Sequence, residues 1–179
     1  EYQHYAADVT RTFPVGTAFS EAQREIYQIV LTAQKAAIQA CRPGASFNEP
    51  HEAAIRILVD GLVQLGLLNG DVHEVIENNE YLRFCPHKTS HWLGIDVHDV
   101  GDYRVDGSWR ELEPGMVLTI EPGLYIQDND VNANLHPRWR GIGVRIEDDV
   151  LITRKGHEVL TRSIPKEIDE VEAARSRLA

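Results

Sequence analysis

Cysteine is scarce in this chain of 179 residues: there are two, Cys41 and Cys85, 44 positions apart and outside any Cys-x-x-Cys spacing. That excludes a disulfide framework and a cysteine-rich zinc site, and it fits a reduced, cytoplasmic setting. Positive charge is also short, with 18 Lys and Arg against 28 Asp and Glu and a formal net charge of −10. A phosphate backbone needs a basic face, so nucleic acid is not the expected partner. No apolar run approaches the ~18 residues that span a bilayer, so no membrane partner is expected either. The opening Glu1-Tyr2-Gln3-His4 has neither a basic start nor an apolar stretch, and no secretion signal is visible in it.

Familiar catalytic signatures are missing too. His51-Glu52-Ala53-Ala54-Ile55 begins like a zinc-protease helix but lacks the second histidine. The run from Asp128 resembles a calcium loop, yet Ala133 stands where glycine is needed and Trp139 where glutamate is needed. Gly141-Ile142-Gly143 lacks the third glycine of a dinucleotide turn and leads into a strand. No Gly-x-Ser-x-Gly elbow occurs.

What remains is an ordinary globular composition, 42% hydrophobic and 26% charged, at a length suited to one domain. Residues 2–14 read as a strand closed by Pro14 and Gly16. Ser20 and Gln23 form a capping-box spacing ahead of an amphipathic helix over about 21–41. Ser46 and Glu49 predict a second box, before a helix running to Gly66. A short helix is expected over 71–79. Strands are expected at 116–126, 142–153 and 157–161, with a tight turn at Lys155-Gly156, and a closing helix from Ile164 to Leu178. This order, helices and then a run of strands, is α+β.

Four segments put polar groups where a plain strand would not. Asp8 lies in Ala7-Asp8-Val9-Thr10-Arg11-Thr12, and His87, His91 and His98 are spaced along Pro86–Asp99. Glu121 follows Met116-Val117-Leu118-Thr119-Ile120 and precedes Pro122-Gly123, while Glu147 follows Val144-Arg145-Ile146. A carboxylate in an apolar strand is costly unless it is paired or binds a metal. Strand periodicity puts Arg145 and Glu147 on one face. Histidine with several carboxylates suits Mn²⁺, Co²⁺ or Zn²⁺, and a bridged pair of ions in particular. Each residue also has an ordinary reading: Asp8 as a surface turn acid, His98 as a histidine bonded to Asp99, Glu147-Asp148-Asp149 as a solvated strand end.

These segments resemble the C-terminal catalytic region of the Xaa-Pro aminopeptidases, the aminopeptidase P group of pita-bread metallopeptidases. The resemblance rests on Asp8–Pro14, Ser90–Asp99, Leu112–Tyr125 and Arg140–Asp149, and it runs nearly end to end. It implies a pita-bread fold lacking its first portion, so that residues 1–179 form a partial catalytic domain, roughly its last two-thirds. It implies Asp8, His91, Glu121 and Glu147 as ligands of two Mn²⁺ ions, with Asp8 and Glu147 bridging. His87, His98 and Tyr125 would meet substrate, and Arg145 would couple to the site by hydrogen bonds. A bridging hydroxide would attack the carbonyl before proline and release the N-terminal residue. The family's first aspartate ligand would fall before residue 1, so one metal position is expected to be weakened and the chain alone inactive. The full-length protein is expected to be a homo-oligomer. An Xaa-Pro dipeptidase and a pita-bread binding module without hydrolysis are the alternatives.

Overall fold

The computed structural model describes residues 1–128 and 135–177. The run from Asp128, already excluded as a calcium loop, lies partly outside these residues, and Leu178, the expected end of the closing helix, lies outside them. Helix α1 spans Glu21–Ala40 and opens with the predicted capping box, formed by Ser20 and Gln23 in both directions. Its apolar stripe, from Ala22 through Ile26, Val30, Ala33 and Ala37, is buried. Helix α2 spans Glu49–Gln64 and buries Ala54, Ile55, Leu58 and Leu62. The two helices approach closely at Gly61, where an added Cβ would lie 2.7 Å from the side chain of Ile29. Helix α3, Val72–Glu77, is capped by the side chain of Asp71.

The predicted box at Ser46 does not form. The N-cap of α2 is Asn48, without a side-chain cap bond, because Ser46 Oγ accepts the amide of Asn48 two residues on and makes a local turn.

Two tiny strands, β1 (Arg104–Val105) and β2 (Ser108–Trp109), make a hairpin. The main sheet contains β3 (Val117–Ile120), β6 (Asp148–Thr153) and β7 (Gly156–Val159), in the order β3-β6-β7 and antiparallel throughout. A second pair joins β4 (Gly123–Tyr125) to β5 (Gly143–Arg145), also antiparallel. Leu118, Ile120, Val150 and Ile152 are fully buried in the shared core, each contributing roughly 1.5–3 kcal/mol. Helix α4, Ile168–Ser176, starts later than predicted, behind Pro165.

Four expectations about the strands are corrected. The stretch 116–126 is two strands, broken at Glu121-Pro122, since Pro122 cannot donate to a ladder. The stretch 142–153 is likewise two strands, broken at Ile146-Glu147. The turn before β7 is Arg154-Lys155, with Gly156 already paired to Thr153. The strand expected over residues 2–14 does not form: Tyr2 and Tyr5 make only an isolated bridge, and the partners of residues 6–14 are largely side chains. The Asp8 amide donates to Asp149, and the Thr12 hydroxyl both accepts the Arg145 amide and donates to its carbonyl.

Candidate metal centre

Four chain segments meet at the two strand breaks. Residues 89–93 run along the free edge of β3, where Leu93, Thr119 and Glu121 donate in turn to Val117, His91 and Thr89. On the other side of the bend, the Glu147 amide donates to the carbonyl of Thr10, 3.1 Å away. The amide of Glu121 is thus spent on the segment that carries His91, and the amide of Glu147 on the segment that carries Asp8. Directly opposed residues share a sheet face, so His91, Thr119, Glu121 and Glu147 point to one side.

The donor atoms converge there. One ligand atom each from Asp8, His91 and Glu147 lies within 4.8 Å of the others. His91 Nε2 is 3.3 Å from Glu121 Oε1 and 3.5 Å from Asp8 Oδ2. His91 Nδ1 lies 3.0 Å from the Trp92 carbonyl, which can only accept, so the proton sits on Nδ1. In the neutral ring that leaves the Nε2 lone pair facing the carboxylates, the arrangement a metal ligand needs. Glu121 and Glu147 are 9% and 2% exposed. Burial pushes the Glu147 carboxyl up to about 7; the charges of Glu121 and Asp8 add to this against the hydrogen bond from Thr10 Oγ1 at 2.5 Å. Clustered carboxylates held this way call for a cation, and the oxygen-rich donor set with one imidazole fits a divalent one.

A sequence profile of metallopeptidase family M24 matches residues 1–154. The chain belongs to that family. It is 54% identical to an Xaa-Pro aminopeptidase of Escherichia coli (strain K12) over 97% of this chain and 38% of that protein. It is 51% identical to the Haemophilus influenzae enzyme of the same name over 96% of the chain and 39% of that protein. Among solved structures, Pseudomonas aeruginosa aminopeptidase PepP superposes with a TM-score of 0.96 at 53% identity, covering 99% of this chain and 40% of that one. The chain therefore has the pita-bread fold of aminopeptidase P and spans about two-fifths of the length of these relatives.

The remaining residues that the family resemblance implicates lie around this cluster. Tyr125 links two of them, its hydroxyl 2.8 Å from both His87 Nε2 and Arg145 Nε. The bond directions follow from the ends. Arg145 can only donate, and the Lys88 carbonyl takes the proton of His87 Nδ1 at 2.8 Å. In the neutral ring, Tyr125 accordingly accepts from Arg145 and donates to His87. Burial keeps the Tyr125 phenol above its usual pKa even beside Arg145. Arg145 also reaches Glu121, at 3.7 Å. His98 is exposed and packs edge-on against His91, with ring centroids 4.3 Å apart.

Four contributors escaped the sequence reading. Thr10 holds Glu147, and Thr119 donates to Glu121 at 3.3 Å while accepting the His91 amide. Asp148 and Asp149 are 0% and 3% exposed, so the solvated strand end is overturned. Their signal was the acidic triplet itself, which sits in a strand otherwise made of core residues. Asp149 Oδ2 accepts the Asp8 amide at 3.2 Å, and its Oδ1 is buried without a partner. Burial and the charge of Asp8 push that carboxyl up to about 6.

Proposed function

We propose that this chain carries most of the active site of an Xaa-Pro aminopeptidase, which removes the N-terminal residue from peptides with proline second. The observation that carries the reading is the convergence of Asp8, His91 and Glu147 within 4.8 Å, with Glu121 3.3 Å from His91. The similarity to Xaa-Pro aminopeptidases over 97% of the chain supports it.

In this reading Asp8, His91, Glu121 and Glu147 would hold divalent cations, and Mn²⁺ would be the metal. Bound cations supply Lewis-acid activation of water and of the scissile carbonyl. The protein's own part is positional. Trp92 and Thr119 fix the His91 ring and backbone, and Thr10 and Thr119 fix the two glutamates. Such partners orient ligands and raise their affinity for metal. Beside the centre, Arg145, Tyr125 and His87 form one proton-ordered chain that presents a fixed polar wall to the substrate. His98 stands at the solvent edge, where an incoming peptide meets it. The segment 1–179 would be part of a larger catalytic domain, and the unpaired Cys41 and Cys85 suit the cytoplasm.

The test is Mn²⁺-dependent release of the N-terminal residue from an Xaa-Pro-Pro tripeptide, compared with the Xaa-Pro dipeptide. Tripeptide cleavage supports the reading, and cleavage of the dipeptide alone would make the protein a dipeptidase. If neither is cleaved even by a chain extended to the full length of the relatives, the proposal fails and a binding role replaces it.

A further inference from the structure

Arg11 touches the backbone of both carboxylate-bearing segments with two of its five N–H groups, and the other three tie it to Asp148 and to residues 164–165. Nη1 donates to the Glu147 carbonyl at 2.6 Å and to the Thr10 carbonyl at 2.9 Å. Nη2 donates to Asp148 Oδ1 at 2.7 Å and to the Ile164 carbonyl at 3.1 Å, and Nε to the Pro165 carbonyl at 2.9 Å. A guanidinium offers five donors in a fixed planar fork, and here each has an acceptor. The far oxygen of Asp148, Oδ2, is held by Gln34 of α1 at 2.7 Å and by Lys166 at 2.5 Å, while Thr161 donates to the same Oδ1 as Arg11. That buried carboxylate anchors the fork to the core.

From this geometry we infer that Arg11 is a positioning residue of the metal centre, acting on the backbone where Thr10, Thr119 and Trp92 act on the ligands themselves. It sets the spacing between Asp8 and Glu147 by clamping their two segments together. The inference rests on the metal reading above. The two segments share no regular ladder at this point. Besides the hydroxyl bonds of Thr10 to Glu147 and of Thr12 to Arg145, the Glu147 amide to Thr10 and the Asp8 amide to Asp149 are isolated bonds, which a displaced segment would lose. A lysine in place of Arg11 could keep the charge opposite Asp148. It is a point donor, however, and cannot span both carbonyls and the 164–165 segment together.

Amide hydrogen exchange and Mn²⁺ titration on the wild-type chain, Arg11→Lys and Lys166→Met test this. Lys166→Met removes a cation from the same Asp148 but touches neither the Thr10 nor the Glu147 carbonyl. In the metal-free protein, Arg11→Lys is expected to speed exchange of the Glu147 and Asp8 amides at least tenfold. The β3–β6 ladder amides should stay protected. Lys166→Met should lower the melting temperature without that selective loss. Mn²⁺ affinity should fall at least tenfold in Arg11→Lys and stay within twofold in Lys166→Met. Wild-type exchange at Glu147 in Arg11→Lys, or the same uniform loss in both variants, overturns the inference, as does unchanged Mn²⁺ affinity in Arg11→Lys. Absence of Mn²⁺ binding by the wild-type chain would instead contradict the metal reading, and the exchange arm would still decide the role of Arg11.

Discussion

Glu121 and Glu147 stand opposite each other at a single bend shared by two paired strands. The register on both sides of the bend, Ile120 with Asp148 and Gly123 with Arg145, counts the one directly across from the other. Both amides point away from the opposite strand, and each binds the segment that brings another candidate ligand. Pro122 enforces the break on one strand. Two like charges facing each other across a ladder carry a cost, which a divalent cation between them would offset.

Thr10 should matter more to metal than to folding. Its hydroxyl donates to Glu147 Oε2, whereas the Thr12 hydroxyl serves only the backbone of Arg145. Thr10→Val is expected to weaken Mn²⁺ binding about 10–100-fold, the usual cost of losing an outer partner of a ligand. Thr12→Val should lower the melting temperature with a smaller change in affinity. Calorimetric titration of both variants checks the contrast.

Gly123 is where Tyr125 folds back across its own strand. A Cβ there would lie 2.4 Å from the Tyr125 hydroxyl and 2.9 Å from the Val144 carbonyl. Gly123→Ala should therefore push the hydroxyl off His87 and Arg145. Its loss of kcat/KM should match that of Tyr125→Phe, about tenfold or more, and the double variant should lose little beyond either single change. Additive losses would contradict the shared cause.

Burial at the core lowers the His51 imidazole to about 4, and the nearby Lys88 and His87 charges push the same way. Its Nδ1 is 2.8 Å from Thr89 Oγ1. The unfolded chain binds this proton near pH 6.5, so the neutral folded form is favoured above that pH. Its contribution is lost as pH falls from about 6.5 to about 4, up to roughly 3 kcal/mol in all. His51→Gln should flatten the stability curve across that window, as chemical denaturation at several pH values would show.

Asp148 is fully buried, and although burial raises its pKa, the bonds from Lys166, Thr161 and Arg11 outweigh that and hold it below the usual carboxylate range. Asp148→Ala strands two cations in the interior. A loss of about 3–5 kcal/mol is expected in equilibrium unfolding, the range for breaking one side of a buried pair. A loss below about 1 kcal/mol would mean the network is solvated.

The helices were legible because their signals are local: the Ser20 box and the 3–4 spacing of α1 lie within one segment. Glu121 was legible because a charge in an apolar run has few uses. Arg11 and Thr10 were not, since their partners lie more than 130 positions away in sequence, and Asp148 gave only the signal of an acidic triplet in an apolar strand. The N-terminal stretch alternates like a strand, yet its bonds go to Asp149, Glu147 and Arg145 side by side with β5 rather than through a ladder. No pattern within residues 2–14 distinguishes those outcomes. The breaks at Glu121 and Ile146 were hidden for the same reason, apart from the warning that Pro122 gave.

The most direct measurement is titration of the chain with Mn²⁺ at neutral pH, beside His91→Ala and Glu121→Ala. The account predicts saturable binding by the wild-type chain, weakened at least about a hundredfold in both variants, a difference near 2.8 kcal/mol. Equal binding by all three, or none by the wild-type chain, would contradict it.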